Sequence, residues 1–141
     1  MDQRVQVLIA DHEVHTRQGL QALLAAWPQI EVVGMAANGV EAVQMVEKCQ
    51  PDVALMDIPM PVPALSKSHE RSEGSIESMD GLEAIRLIKS RQPQVRIVVL
   101  TMYTARRAAA LAAGADAFLL KGCPAQDLLE AIVSQTSIGQ G

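Results

Sequence analysis

Four polar side chains in this 141-residue chain each come at the end of a short apolar run. Asp11 follows VQVLIA, Asp57 follows DVALM, Thr101 follows VRIVVL and Lys121 follows AFLL. His12 and Glu13 come directly after Asp11. If the runs are parallel strands, their carboxyl ends share one rim, and two carboxylates, a hydroxyl and an ammonium converge there. That set suits a divalent cation together with a phosphoryl group. Carboxylates hold Mg²⁺ through oxygen, while Lys and Thr meet phosphate oxygens. Each residue also has an ordinary reading on its own. A strand-end Asp caps the next helix, Thr101 is a β-branched strand terminator, and Lys121 is a solvated loop lysine.

The elements that must position these residues recur regularly. Val5 to Ala10 is nearly continuous apolar, as in a strand covered on both faces. Thr16 to Trp27 then carries Leu20, Leu23, Leu24 and Trp27 on one helical stripe, ended by Pro28. Ile30 to Ala36 is a second strand, and Asn38-Gly39 turns into a helix bearing Ala42, Val43, Met45 and Val46. Asp52 to Met56 is a third strand; Asp80 can cap a helix with Leu82, Ile85, Leu87 and Ile88. Val95 to Leu100, helical Ala105 to Ala113, strand Ala117 to Leu120 and a last helix opened by Pro124 complete the pattern. This β-α alternation predicts an α/β fold, a doubly wound five-stranded parallel sheet flanked by five helices.

Composition narrows the function classes. With 12 Lys and Arg against 16 Asp and Glu, net charge −4, this piece has no electrostatic grip on nucleic acid. Apolar residues at 49% rule out a disordered tail, and no apolar stretch reaches membrane-span length. Cys49 and Cys123 lack CxxC or His spacing and read as free thiols of a cytoplasmic domain. No Gly-rich phosphate loop of the GxGxxG or GxxxxGK[ST] type is present, which argues against a nucleotide-binding enzyme.

The segments RVQVLIAD, DVALMDIPMP, MDGLEAI, VVLTM and GADAFLLKG, in that order, resemble the receiver domain of two-component response regulators. The wording LIAD, MDGLEAI and AFLLK is most similar to CheY-like receivers of the LuxR/NarL-type transcriptional regulators. The resemblance implies the flavodoxin-like strand order 2-1-3-4-5 and a receiver over 1–135, with a long loop insertion at about 62–78 and a flexible tail at 136–141. It implies that Asp57 accepts a phosphoryl group from a sensor histidine kinase, with Lys121 and Thr101 on the phosphate. Mg²⁺ would be held by Asp11, Asp57 and the Pro59 backbone carbonyl. Thr101 and Phe118 would act as the switch pair. The implied domain is a signalling receiver rather than an enzyme, and a homodimer is a possible partner state. DNA would be reached only through a C-terminal output domain outside this chain.

Three departures from the family pattern stand out. The second acidic position after the first strand is His12, a poor Mg²⁺ donor, with Glu13 as a neighbour able to compensate. The insertion VPALSKSHERSEGSIES is inert, gates kinase access, or lends His69, Glu70, Glu73 or Glu77 as a ligand. The stretch between Thr101 and Lys121 is short around Thr104 to Arg107. His12 and the insertion leave open an alternative: a pseudo-receiver with a degraded metal site, acting as a phosphorylation-independent interaction or dimerisation module.

Overall fold

The computed structural model describes residues 4–58 and 81–133. Pro59, the insertion, the Asp80 cap and the tail lie outside the described residues. Five strands, β1 (Val5–Ala10), β2 (Ile30–Ala36), β3 (Val53–Met56), β4 (Arg96–Thr101) and β5 (Ala117–Leu120), form one parallel sheet. Its order is β2-β1-β3-β4-β5. The helices are α1 (Val14–Ala25), α2 (Gly39–Cys49), α3 (Gly81–Arg91), α4 (Arg107–Ala113) and α5 (Ala125–Val133). The expected architecture and order are therefore what the chain adopts. None of the described helices is long and apolar enough to cross a membrane.

Strand periodicity splits the core into two layers, because alternate side chains leave opposite faces of a sheet. Leu8 and Ala10 of β1 pack with Val46, Ile85 and Ile88 of α2 and α3, whereas Val7 and Ile9 pack with Leu24, Leu128 and Ile132 of α1 and α5. Both faces being covered explains why the strand sequences are continuous apolar runs without alternation. Only Leu24 of the α1 stripe is fully buried; Leu23 is exposed, since α1 meets the sheet along a narrow line.

Local chemistry sets the ends of elements. Asn38 Oδ1 accepts from the Glu41 amide at 2.8 Å and Glu41 Oε1 accepts from the Ala37 amide at 2.7 Å, a reciprocal cap that starts α2. The helix expected from Ala105 begins instead with a 3₁₀ turn at Thr104–Arg106, and α4 proper starts at Arg107. No side chain caps either start, so the first turn tightens to satisfy its own amides. β2 carries a feature the periodicity did not signal. Val7 pairs with Val32 but Leu8 pairs with Gly34, leaving Val33 as an extra, bulged residue.

Two glycines separate backbone strain from simple crowding. Gly114 ends α4 at φ 120°, with a Cβ destined to meet Lys89 Cγ at 2.9 Å. Gly34 has an ordinary φ, and its Cβ would meet the flexible tip of Met45 at 2.6 Å. Gly114→Ala should lower unfolding free energy by about 1–2 kcal/mol, from positive-φ strain. Gly34→Ala should lower it less, because a methionine terminus moves aside. Urea melts of both variants, with unchanged slopes, check the order.

Candidate functional site

The strand order reverses at β1, between β2 and β3, and the crevice beyond the carboxyl ends of β1 and β3 is where a doubly wound sheet receives ligands. Asp11 and Asp57 stand there side by side, one residue past the end of each strand. Their backbones continue the ladder: the Asp11 amide donates to Ala36 O at 3.0 Å and the Asp57 amide to Ala10 O at 2.9 Å. The Lys121 amide likewise donates to Thr101 O at 2.8 Å beyond β5. The sheet thus fixes the Cα positions of all three charged residues through main-chain bonds that do not depend on side-chain identity.

Around the two carboxylates the charges are sorted by side. Lys121 Nζ lies 2.9 Å from Asp11 Oδ2 and 3.4 Å from Asp57 Oδ1. His12 Nδ1 lies 3.2 Å from Asp57 Oδ2 and 3.8 Å from Asp11 Oδ1. Each carboxylate therefore turns one oxygen toward the lysine and the other toward the histidine. Asp11 and Asp57 side chains are 1% and 5% exposed, whereas the His12 side chain is 57% exposed, so the site opens on the histidine side. Glu13 contributes its amide, which donates to Asp11 Oδ1 at 2.8 Å.

Burial, and next the Asp11 charge, push the Asp57 pKa above the ordinary carboxylate value, against the opposing pull of Lys121 and His12. For Lys121, burial alone works to lower the pKa. Its contacts with Asp11 and Asp57 outweigh that, and the ammonium is held above the usual lysine value. The lysine stays charged because two partly desolvated anions need it.

Thr101 is fully buried and engaged elsewhere: its hydroxyl donates to Ile58 O at 2.8 Å and accepts from the Tyr103 amide at 3.4 Å. Phe118, on β5, is half-buried against the α3 and α4 layer, with the Arg107 guanidinium 5.9 Å from its ring centre. Two residues that carry structure here were not singled out from the sequence. Arg17 Nη1 donates to Asp11 O at 2.7 Å, pinning the loop that presents Asp11, and Ile58 supplies the carbonyl that holds Thr101. A helical arginine and a loop carbonyl carry no sequence signal for such roles.

Asp11, His12 and Asp57 offer ligand atoms that all lie within 4.8 Å of one another. Asp11 Oδ2 is buried, and the Lys121 ammonium lies 2.9 Å from it. Two buried carboxylates with spare acceptor capacity fit a hard divalent cation that keeps several waters. The imidazole nitrogen of His12 does not fit Mg²⁺, which takes oxygen.

Comparison with known proteins places the chain in a family. The response regulator receiver domain matches residues 7–64 and 73–133, and the chain belongs to that family. It is 35% identical over 128 residues to the uncharacterized transcriptional regulatory protein YhcZ of Bacillus subtilis, covering 89% of this chain and 52% of that protein. It is 34% identical over 138 residues to the response regulator protein VraR of Staphylococcus aureus, covering 96% of this chain and 58% of VraR. The chain thus spans little more than half the length of these curated relatives. Among solved structures, it is similar to the signal receiver domain of NarL from Mycobacterium tuberculosis, with TM-score 0.78, 26% identity and coverage of 96% and 98%. It is also similar to the response regulator domain of Thermotoga maritima CheB, with TM-score 0.74, 29% identity and coverage of 92% and 94%. The class is a signalling module of LuxR/NarL-type response regulators, whose receivers typically bind Mg²⁺.

The raised Asp57 pKa has a consequence for stability. The folded state holds the Asp57 proton more tightly than the unfolded chain does, so this group favours folding below the unfolded carboxylate pKa. That contribution is lost as pH rises through the folded value. At neutral pH the ionised side chain therefore opposes folding. Asp57→Asn should raise the metal-free melting temperature by a few degrees at about pH 7 and gain almost nothing near about pH 4. Thermal melts of both proteins across that range check the sign.

Proposed function

We propose that this domain accepts a phosphoryl group from a sensor histidine kinase on Asp57 and thereby switches a surface that controls an output, transcription above all. The observation that carries the reading is the bracketing of the Asp57 carboxylate. It sits nearly buried at the end of β3, with the Lys121 ammonium at one oxygen and the Asp11 carboxylate alongside.

An Asp57 oxygen attacks phosphorus, a new P–O bond forms, and the P–N bond of the kinase phosphohistidine breaks, its electron pair leaving on the imidazole nitrogen. Lys121 is placed to pair with a phosphoryl oxygen, since its Nζ already faces Asp57 Oδ1. Asp11 and Asp57 would hold a divalent ion, with Pro59, outside the described residues, as the further ligand the family resemblance implies, and that ion would neutralise charge during transfer. Asp11 is the only other buried carboxylate among the described residues, and it is what makes that neutralisation necessary.

Switching has a defined local event in this reading. The Thr101 hydroxyl must give up Ile58 O to reach a phosphoryl oxygen on Asp57. Its departure frees space beside β4 and β5, where Phe118 sits half-buried under Arg107. Such an exchange of one packed arrangement for another converts a local charge event into a surface change. Exposed Met102 and Tyr103 after β4, Leu111 on α4 and Leu120 on β5 support an output or homodimer surface on that side. The receiver is proposed to run over 1–135 in a cytoplasmic regulator, with an insertion at 62–78 and DNA contacted only through an output domain.

One observation favours a second reading, the phosphorylation-independent interaction module: His12 Nδ1 already faces Asp57 Oδ2 at 3.2 Å, where a third carboxylate would be expected. Intact mass spectrometry after incubation with Mg²⁺ and acetyl phosphate separates the two. The phosphoacceptor reading expects one hydroxylamine-labile phosphoryl adduct, absent in Asp57→Asn and strongly slowed in Lys121→Ala. Absence of an adduct in wild type but its presence in His12→Asp would establish the second reading instead.

A further inference from the structure

We propose that His12 is itself a metal ligand, and that it turns this site from Mg²⁺ toward divalent first-row transition ions, with Co²⁺ and Zn²⁺ bound more tightly than Mn²⁺. The inference deepens the phosphoacceptor reading and rests on it for its biological sense, because the same two carboxylates are involved.

Three ligand atoms, one each from Asp11, His12 and Asp57, lie within 4.8 Å of one another, close to the spacing an ion requires. His12 Nδ1 lies 3.2 Å from Asp57 Oδ2 and 3.8 Å from Asp11 Oδ1. Transition ions bind nitrogen and oxygen at roughly 2.0–2.2 Å, which sets neighbouring ligand atoms about 3–3.6 Å apart. The 3.8 Å separation needs a shift of a few tenths of an ångström by a His12 side chain that is 57% exposed. The two carboxylate oxygens, within 4.8 Å of each other, would draw together on the ion. Asp11 Oδ1 receives one amide bond, from Glu13, and a carboxylate oxygen keeps a second lone pair for a metal.

The lysine does not compete for this position. Lys121 faces Asp11 Oδ2 and Asp57 Oδ1, the two oxygens turned away from His12. An ion on the His12 side therefore leaves the ammonium in place for a phosphoryl group. As a ligand, His12 would offer Nδ1 to the ion, the ring nitrogen that already faces both carboxylates.

Donor chemistry decides which ion this is. Mg²⁺ is a hard cation that takes oxygen and dehydrates reluctantly, so an imidazole in place of a carboxylate removes both a good donor and a negative charge. Imidazole nitrogen instead suits Co²⁺, Zn²⁺ and their neighbours, with affinity rising from Mn²⁺ across the series. Every such ion outbinds Mg²⁺ to some degree at an all-oxygen site too. The signature of His12 is therefore a change in the ratio, not the ratio itself.

The test is calorimetric titration of the metal-free full chain with Mg²⁺ and, separately, Co²⁺, in wild type, His12→Asp and His12→Asn. The Co²⁺ visible absorption spectrum is recorded alongside as a direct report on a nitrogen ligand. From wild type to His12→Asp, the preference for Co²⁺ over Mg²⁺ should fall by about tenfold or more, with Mg²⁺ binding tightened. His12→Asn should lose Co²⁺ affinity without gaining Mg²⁺ affinity, which isolates the nitrogen from the charge. An unchanged preference in both variants, or Co²⁺ binding that persists when Asp11 and Asp57 are both replaced by Asn, would overturn the assignment. Acetyl phosphate labelling under each ion keeps the two readings apart. A shifted preference with no adduct on Asp57 defeats the phosphoacceptor reading alone, and an adduct with an unshifted preference defeats the His12 assignment alone.

Discussion

Two carboxylates that repel each other are held side by side by adjacent strands, and the rest of the site is arranged around that repulsion. Main-chain bonds from Asp11 to β2 and from Asp57 to β1 give neither residue freedom to retreat. Burial removes the water that would screen them, and the Asp57 pKa rises in consequence. Lys121 offsets part of the repulsion on one side and His12 on the other. The arrangement is unstable with respect to charge, and it can be relieved only by a cation or by a change in Asp57 itself.

The sheet makes this possible because its rim is rigid while the side chains beyond it are not. Both faces of the strands are buried against helices, so the strand ends cannot shift to separate the carboxylates without disturbing two core layers. Thr101 lies at the carboxyl end of β4, and Phe118 lies inside β5 beside Val99. Thr101 is bound to Ile58 O, on the same β3 extension that carries Asp57, which links the hydroxyl to that segment directly. Phe118 borders the layer formed by α3 and α4, and α4 has a weakly capped, 3₁₀-tightened start. Elements with few fixed partners at their ends are the ones able to adopt a second packing.

Membership of the receiver family is shown by the match over both halves of the chain, and His12 is the imidazole that stands beside its carboxylate pair. A carboxylate at that position would add a third negative charge to the pair and deepen the need for a hard cation. An imidazole instead shares the load with Lys121, leaves the pocket less negative and brings a nitrogen donor to the open side. One side chain thus shapes both the electrostatics around Asp57 and the donor chemistry of the open side.

The architecture was legible in the residues because each strand is a short apolar run and each run ends in turn chemistry. β1, β2 and β5 fall on the stretches that the pattern marks, and the strand-end rule names Asp11, Asp57, Thr101 and Lys121. Hydrophobic periodicity is a local property, so it survives in the linear sequence. The Val33 bulge, the 3₁₀ start before α4 and the exposure of Leu23 were not legible, since each depends on how an element meets its neighbours. The same limit applies within the site. Residue types alone brought two carboxylates, an ammonium and a hydroxyl to one rim. Only the tertiary structure decided that Lys121 and His12 take opposite oxygens of the pair, that Thr101 is turned to Ile58 O, and that Arg17 anchors Asp11. Those choices are made by distances of a few ångströms between residues far apart in the chain, and they exist only once the strands are in register.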